Sequence, residues 1–262
     1  MSHATPTVYL SFDVEEFDLP NECGGNLPLE EQLALGRAGL ERVLPWMQDL
    51  GASCTLFTTA RFAEHAPDMV KEASLDHEIA SHGVRHDQFE LQDYAESRAR
   101  LESITGRRVT GFRRPRLQPI DPDACRTAGY LYDSSENPIR LPGRYDNRHV
   151  PRTPRHEDGL LRIPISTSPR LRIPLFWLSW GNLPRMILRR ALDGALARDG
   201  RLVLFFHPWE FIELPRVPMP RVVRRRTGPR LLEKVDRELR RLAGHAAFKP
   251  MQELLDECPA TS

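Results

Sequence analysis

The chain has 262 residues, enough for one large α/β domain with a sizeable core. Its 37 basic and 36 acidic side chains give a formal net charge of +1, which argues against a nucleic-acid or general polyanion binder. The N-terminus lacks the charged and apolar regions of a secretion signal, and no window has the ~18 apolar residues of a membrane span. The four cysteines are scattered, which predicts neither disulfides nor a cysteine metal site. We therefore expect a cytoplasmic globular protein.

Short apolar segments alternate with amphipathic ones along the whole chain. The predicted strands are 7–14, 52–59, 77–81, 109–112, 130–135, 160–165 and 201–207, and the predicted helices are 27–51, 61–74, 90–105, 121–128, 183–198, 229–243 and 250–257. Two segments, 136–158 and 208–228, are rich in proline and arginine and predict long irregular loops. About seven strands alternating with helices indicate parallel βαβ units and a barrel, within a single domain covering 1–262.

An acidic cluster ends the first predicted strand. Asp13, Glu15 and Glu16 lie in the run Ser-Phe-Asp-Val-Glu-Glu-Phe-Asp. The period-two alternation of a strand places Asp13 and Glu15 on the same side. Two carboxylates that point together repel unless a cation or a proton lies between them. The alternative is a solvated acidic loop, since charge runs usually face water.

A pair of histidines follows the third predicted strand. His82 and His86 are four residues apart, a spacing at which both imidazoles can bind one divalent ion if the segment is helical or tightly turned. Zinc, cobalt, nickel and iron all accept neutral imidazole as a ligand, so the histidine pair does not specify which metal ion binds.

Two further clusters end predicted strands. The first is Gly-Phe-Arg-Arg-Pro-Arg, which contains Arg113, Pro115 and Arg116 and also fits a plain basic turn. The second is Leu-Phe-Phe-His-Pro-Trp-Glu, which contains His207 and Trp209. An imidazole at the end of an apolar strand can act as acid or base near neutral pH, or can be a hydrogen-bonded histidine at the edge of the core. The carboxyl ends of the strands in a parallel barrel converge on one site, where these clusters would meet.

Together these motifs resemble the polysaccharide deacetylase (NodB-homology) family, carbohydrate esterase family 4, over nearly the whole chain. The resemblance implies a distorted (β/α)7 barrel and removal of N-acetyl, O-acetyl or formyl groups from glycans. It implies that Asp13 is the catalytic base and that Glu15, His82 and His86 hold one divalent metal ion, zinc first, with cobalt, nickel or iron as alternatives. Glu16 is the alternative carboxylate ligand. The resemblance is to the Asp-x-Asp branch, with glutamate as the second acid.

The same resemblance implies roles for the residues of the remaining clusters. Arg113 would orient Asp13, and the backbone N–H of Arg116 would face the oxyanion. Pro115, Arg116 and Trp209 would line the substrate groove, where Arg116 replaces the usual aromatic residue. His207 would be the general acid. Asp133 is its candidate partner, with Asp121 and Asp123 as alternatives.

The implied function is metal-dependent hydrolysis of an N-acyl amide on an amino sugar or glycan. One alternative is a metal-free, allantoinase-like amidohydrolase of the same fold, against which the His82/His86 pair argues. Another is a catalytically inactive carbohydrate-binding relative. Three residues depart from the family motifs, namely Val14, Gly83 and Arg116. These departures are compatible with an inactive relative.

A cytoplasmic enzyme would meet a nucleotide-linked or lipid-linked sugar, and Arg225, in the arginine-rich segment 221–226, is a candidate phosphate contact. That segment also fits a solvated basic loop. The apolar run 173–180 would either touch a membrane surface or pack over one end of the barrel.

Overall fold

The computed structural model describes residues 5–141, 145–224 and 227–259. Its strands, in chain order, are β1 (Thr7–Val14), β2 (Thr55–Thr58), β3 (Glu78–Ser81), β4 (Gly111–Phe112), β5 (Tyr132–Asp133), β6 (Arg140–Leu141), β7 (Tyr145–Asp146), β8 (Arg155–Glu157), β9 (Leu160–Arg162), β10 (Arg201–Phe206) and β11 (Ala247–Lys249).

Seven of these strands form one curled parallel sheet in the order β10-β1-β2-β3-β4-β5-β9. β8 pairs antiparallel with β9, and β11 pairs with the beginning of β1. The chain after β9 returns to the other end of the sheet, where the Ser166 amide donates to the Val203 carbonyl at 3.0 Å. The expected distorted (β/α)7 barrel is confirmed.

Helices surround this sheet and alternate with its strands. They are α1 (Leu19–Glu22), α2 (Leu29–Leu50), α3 (Ala60–His65), α4 (Pro67–Ala73), α5 (Asp93–Thr105), α6 (Pro122–Thr127), α7 (Trp177–Asn182), α8 (Arg185–Asp199), α9 (Arg221–Arg224), α10 (Pro229–Ala243) and α11 (Leu254–Glu257), with 3-10 helices at Pro115–Leu117, Pro208–Phe211 and Met251–Glu253.

Some predicted elements need correction. The helix expected over 61–74 is two helices, because Pro67 disfavours the helical conformation at Ala66, whose φ is −131°. The segment 136–158 contains the β6–β7 hairpin and β8, and 208–228 contains two short helices. β11 was not predicted, since its three residues are only partly buried and carry little apolar pattern.

The alternation of β1 decides which side chains reach the barrel interior. Val8, Leu10 and Phe12 pack outward in the core shared with the helices, while Tyr9 belongs to the inner cluster. The same period carries Asp13 to the inner face at the carboxyl end of the strand.

The apolar run 173–180 packs against the barrel. Leu175 and Trp180 are fully buried, and the Phe176 ring stacks on Phe205 with centroids 5.6 Å apart. Of the two expectations for this run, packing over the barrel is therefore the one that the structure supports, because these side chains are covered. Within the described residues, no helix is long and apolar enough to cross a membrane. All four cysteines are free thiols.

Two glycines let α2 approach the loops after β1 and β10. A Cβ added to Gly36 would lie 2.3 Å from the Glu15 carbonyl oxygen, and one added to Gly39 would lie 2.5 Å from the Pro208 carbonyl carbon. Real Cβ contacts are not this short, so a side chain at either position forces the helix away from these loops.

We expect Gly39→Ala to lower the free energy of unfolding by about 1–3 kcal/mol, because the added methyl group overpacks a backbone contact. Gly194→Ala is the matched control, since its Cβ meets nothing closer than Pro169 at 3.9 Å. That control should gain up to about 1 kcal/mol from helix propensity. Urea denaturation measures both, and equal stabilities of the two variants would contradict the close approach.

Candidate functional site

The carboxyl ends of the parallel strands surround a cavity of about 210 Å³. Its lining combines acidic and polar side chains with aromatic and apolar ones. The lining residues are Asp13, Glu15, Phe17, Asp18, Leu19, Glu22, His86, Arg116, Leu117, Asn137, Phe176, Trp177, Leu178, Phe205, His207 and Trp209. The clusters that begin at Asp13 and at His207 therefore meet in one place, as their positions after strands predict.

Asp13 and Arg113 form a buried ion pair beside this cavity. The Arg113 guanidinium donates to Asp13 Oδ1 at 2.5 Å, and it also donates to Ser11 and to the backbone and hydroxyl of Ser134. Its charged end lies 3.9 Å from the centre of the Phe57 ring. Burial raises the pKa of Asp13, but Arg113, His82 and His207 together outweigh it and hold the pKa below its ordinary value. Asp13 is therefore a carboxylate with one oriented oxygen.

His82 and His86 both direct Nε2 to Glu15. Each Nε2 lies 3.2 Å from Glu15 Oε2. His82 Nδ1 lies 2.8 Å from the Arg113 carbonyl oxygen, to which it must donate, and His86 Nδ1 lies 2.8 Å from Asp18 Oδ1. Burial lowers the pKa of His82 and favours its neutral form. The outer contacts thus fix the orientation of both rings, with each Nε2 directed at Glu15.

Glu15, and not Glu16, faces the two imidazoles. Glu16 Oε2 accepts from the Thr59 hydroxyl at 2.8 Å, and Glu16 Oε1 accepts from the His86 amide at 2.9 Å. Burial raises the pKa of Glu15 well above its ordinary value, and the charges of Asp13, Asp18 and Glu16 add to this against the opposing effect of His86. A carboxylate in such surroundings is stable as an anion only next to a cation.

The donor set fits a divalent metal ion. One oxygen of Glu15 and one nitrogen of each imidazole lie within 4.8 Å of one another. Glu15 Oε2 is buried and has no hydrogen-bond partner among the described residues. Metal–ligand bonds of about 2.0–2.1 Å in tetrahedral geometry separate neighbouring ligand atoms by about 3.3 Å, close to the 3.2 Å seen here. A second acidic group, Asp18 with Glu22 and His86, is already neutralised by Arg116.

His207 has a different partner from the one predicted. Its Nδ1 lies 2.8 Å from Glu210 Oε1, and its backbone amide donates to the same oxygen at 2.6 Å. Asp133 instead accepts from Arg162 and Ser135, so its expected pairing with His207 is wrong. The physical reason is the 3-10 turn after β10, which brings the side chain at position 210 back over position 207. Asp121, one of the alternatives, caps α6 through the Ala124 amide.

Burial disfavours charge on both members of the His207–Glu210 pair. It lowers the pKa of His207 to about 3 and raises the pKa of Glu210 well above its ordinary value. Nδ1 of His207 contacts Glu210, while its Nε2 lies 3.8 Å from Glu15 Oε1. This leaves Nε2 as the atom of the pair that faces the cavity.

Arg116 closes one side of the cavity by ion pairs with Glu22 and Asp18, at 2.5 and 3.1 Å. Its φ is 60° and that of Leu117 is 50°, so two successive non-glycine residues adopt the left-handed conformation. Such backbone costs about 1–3 kcal/mol per residue and is concentrated at functional sites. Pro115 is buried at the start of this turn, where it shapes the backbone and does not line the cavity.

Of the other two substrate-binding candidates, Trp209 and Arg225, one lines the cavity. Trp209 lines the cavity, stacks on His207 with ring centroids 4.9 Å apart, and directs Nε1 to Glu15 Oε1 at 3.5 Å. Arg225 lies outside the described residues. Gly83 has a φ of +81°, a conformation that explains glycine in place of a hydroxyl residue.

The residues of the site that were not predicted include Asp18, Glu210 and Trp177. Glu210 stands three residues after His207 in the run His-Pro-Trp-Glu, and this spacing was the available signal. Asp18 ends the acidic run, but its histidine, His86, is 68 residues away, so no local spacing marks the pair. Trp177 reaches the cavity from a distant helix, α7, and packs edge-on against His207. No local pattern marks such a contact.

Replacing Arg113 tests the buried ion pair. We expect Arg113→Met to lower the free energy of unfolding by about 3–5 kcal/mol, because Asp13 is left charged and buried without its partner. Adding Asp13→Asn should recover about 0.5–3 kcal/mol of that loss, since no carboxylate remains to be compensated. Guanidinium denaturation of the single and double variants measures the coupling, and strict additivity would show that the pair has no energetic role.

The comparisons with known proteins agree with this fold. Residues 2–131 match the family model described as polysaccharide deacetylase, and residues 134–256 match a model for a domain of unknown function. No curated protein sequence matches the chain.

Solved structures share the fold at low sequence identity. A Mycobacterium smegmatis protein assigned to the polysaccharide deacetylases is 17% identical with a TM-score of 0.66, covering 98% of this chain and 94% of that one. A Pseudomonas aeruginosa PAO1 protein with the same assignment is 16% identical, with a TM-score of 0.64 and coverages of 97% and 92%. The allantoinase PuuE is 18% identical, with a TM-score of 0.64 and the same coverages.

The two sequence matches together extend over almost the entire chain, and the solved structures share its barrel fold. The chain belongs to the polysaccharide deacetylase (NodB-homology) family, and this membership assigns it as a hydrolase of amide bonds in carbohydrates.

Proposed function

We propose that the chain is a metal-dependent deacetylase that removes an N-acetyl or N-formyl group from an amino sugar. The observation that carries this is the convergence of both imidazole Nε2 atoms on one unpartnered Glu15 oxygen, beside the Asp13–Arg113 pair. Glu15, His82 and His86 would hold the ion, and zinc is our first choice because imidazole and carboxylate suit it.

We propose that the substrate is a sugar intermediate of glycan biosynthesis in the cytoplasm, linked to a nucleotide or a lipid carrier. A cavity of about 210 Å³ has room for the acyl group and part of a sugar ring, since pockets that enclose a whole drug-sized ligand start at about 300 Å³. Trp177 and Trp209 offer flat apolar surfaces to the sugar ring. Arg225 remains our candidate for a phosphate contact.

Each residue of the site has its own role in the proposed reaction. A bound divalent ion would supply electrophilic chemistry, since it lowers the pKa of water and polarises an acyl oxygen. Asp13 accepts the proton of the attacking water, and Arg113 keeps it oriented. The backbone N–H of Arg116 is our candidate donor to the oxyanion. His207 delivers a proton from Nε2 to the departing nitrogen, so that a carboxylic acid and a free amine result.

Turnover and metal content test this proposal together. Purified protein is assayed for acetate and formate release from N-acylated nucleotide-linked and lipid-linked sugars, before and after chelation and reloading with zinc or cobalt. We expect His82→Ala and His86→Ala to lose both metal and turnover, and Asp13→Asn to keep the metal but lose at least about 100-fold in kcat. His65→Ala, at an exposed position, is the control.

Each alternative gives its own result. Full turnover by metal-free protein would favour the allantoinase-like reaction. Sugar binding without turnover in the metal-loaded protein would favour an inactive carbohydrate-binding relative. An Asp13→Asn variant with the wild-type rate would refute the role of Asp13 as base.

Replacing Glu210 tests whether its hydrogen bond to His207 matters for turnover. We expect Glu210→Gln to lower kcat by about 10- to 100-fold with little change in metal affinity, because the imidazole loses its carboxylate partner but no metal ligand is removed. Glu213→Gln is the matched control, three residues further along the chain and exposed. Steady-state kinetics and metal titration measure the two effects, and an unchanged kcat in Glu210→Gln would contradict the assignment.

A further inference from the structure

A second cavity, of about 620 Å³, lies on the outer face of α8 and shares no lining residue with the cavity of the site. The turn 168–173 forms one side, and it is held by a hydrogen bond of 2.8 Å from the Ser168 amide to the Ile173 carbonyl. Ile173, Ala191 and Gly194 form an apolar floor. Gly194 contributes to the open space, since a Cβ there would meet only Pro169, at 3.9 Å. We call this cavity the α8 groove.

Three exposed arginines surround the α8 groove: Arg170, Arg190 and Arg198. No acidic residue is among its lining residues. None of the three arginines forms an ion pair with any of residues 5–141, 145–224 or 227–259. The opposite face of the same helix differs, because Arg185 and Arg189 there both pair with Glu238. Uncompensated positive charge is therefore confined to the groove side of α8.

Exposed apolar side chains lie beside the same arginines. Leu171 and Ile187 line the groove and are 79% and 44% exposed, and Met186, next in the chain to Ile187, is 67% exposed. Soluble surfaces seldom group large aliphatic side chains in this way without a binding role. Because α8 runs antiparallel to the strand that follows it, Met186 and Ile187 lie at the end of the barrel that carries the cavity of the site.

We propose that the α8 groove docks on a bilayer surface that contains anionic phospholipids. Arginine binds phosphate oxygens through its planar fork of donors, so Arg170, Arg190 and Arg198 fit lipid headgroups. Leu171, Met186 and Ile187 fit the boundary between headgroups and acyl chains, where peripheral proteins bury aliphatic side chains. The absence of acidic lining residues matches a negatively charged surface. The proposal stands independently of the reaction, because it concerns vesicle binding alone.

Cosedimentation of the full chain with vesicles tests the proposal. The vesicles are phosphatidylcholine with about one-third phosphatidylserine, compared with pure phosphatidylcholine. We expect binding to the anionic vesicles only, weakened about five-fold by each arginine removed and about 100-fold by Arg170→Gln, Arg190→Gln and Arg198→Gln together. The matched control removes three exposed arginines elsewhere, by Arg42→Gln, Arg107→Gln and Arg108→Gln.

The apolar contribution has its own pair of variants. Leu171→Ser should weaken vesicle binding, while Leu75→Ser, at a position that is 66% exposed, should not. Thermal unfolding of each variant checks that the fold is retained. No binding of the wild type to anionic vesicles would overturn the proposal, and so would equal losses in the two triple variants. Displacement by soluble heparin, together with wild-type binding by Leu171→Ser, would instead indicate an anionic polymer as the partner.

Discussion

Buried negative charge at the carboxyl ends of the strands is the constraint on which the rest of the site depends. Asp13, Glu15, Glu16 and Asp18 are all nearly inaccessible to solvent, and isolated carboxylates cannot remain charged there. The structure compensates three of them. Arg113 neutralises Asp13, Arg116 neutralises Asp18, and Glu16 pairs with Arg61 and accepts from the Thr59 hydroxyl and the His86 amide. Glu15 alone of the four faces only imidazoles and an indole N–H, so it is the position where a divalent cation would complete the balance.

The surrounding fold serves this arrangement of charges. Glycines in α2 let the helix contact the loops that carry Glu15 and His207, and the strained turn at Arg116 is held by its own ion pairs. Metal ligands positioned by fixed outer contacts need little rearrangement on binding. His82 and His86 meet this condition through the Arg113 carbonyl and Asp18, and Arg113, which holds the proposed base, also orients one of the proposed ligands.

Strand-end motifs and period-two alternation made much of this predictable from the sequence. β1 has the predicted bounds, Asp13 and Glu15 share a face, and the histidine pair meets them because parallel strands end together. Such patterns do not predict contacts made by local turns or by elements that are distant in the sequence. The partner of His207 depends on a 3-10 turn whose geometry the run His-Pro-Trp-Glu does not specify, and Trp177 arrives from another part of the chain. Both depend on tertiary packing and not on periodicity.

In our proposal, Glu15, His82 and His86 hold one divalent ion. X-ray absorption spectroscopy of the protein loaded with one equivalent of zinc tests it most directly. We expect a first shell of nitrogen and oxygen at about 2.0–2.1 Å, with the outer-shell scattering of two imidazoles. A sulfur shell near about 2.3 Å, or the spectrum of zinc in water, would contradict the claim.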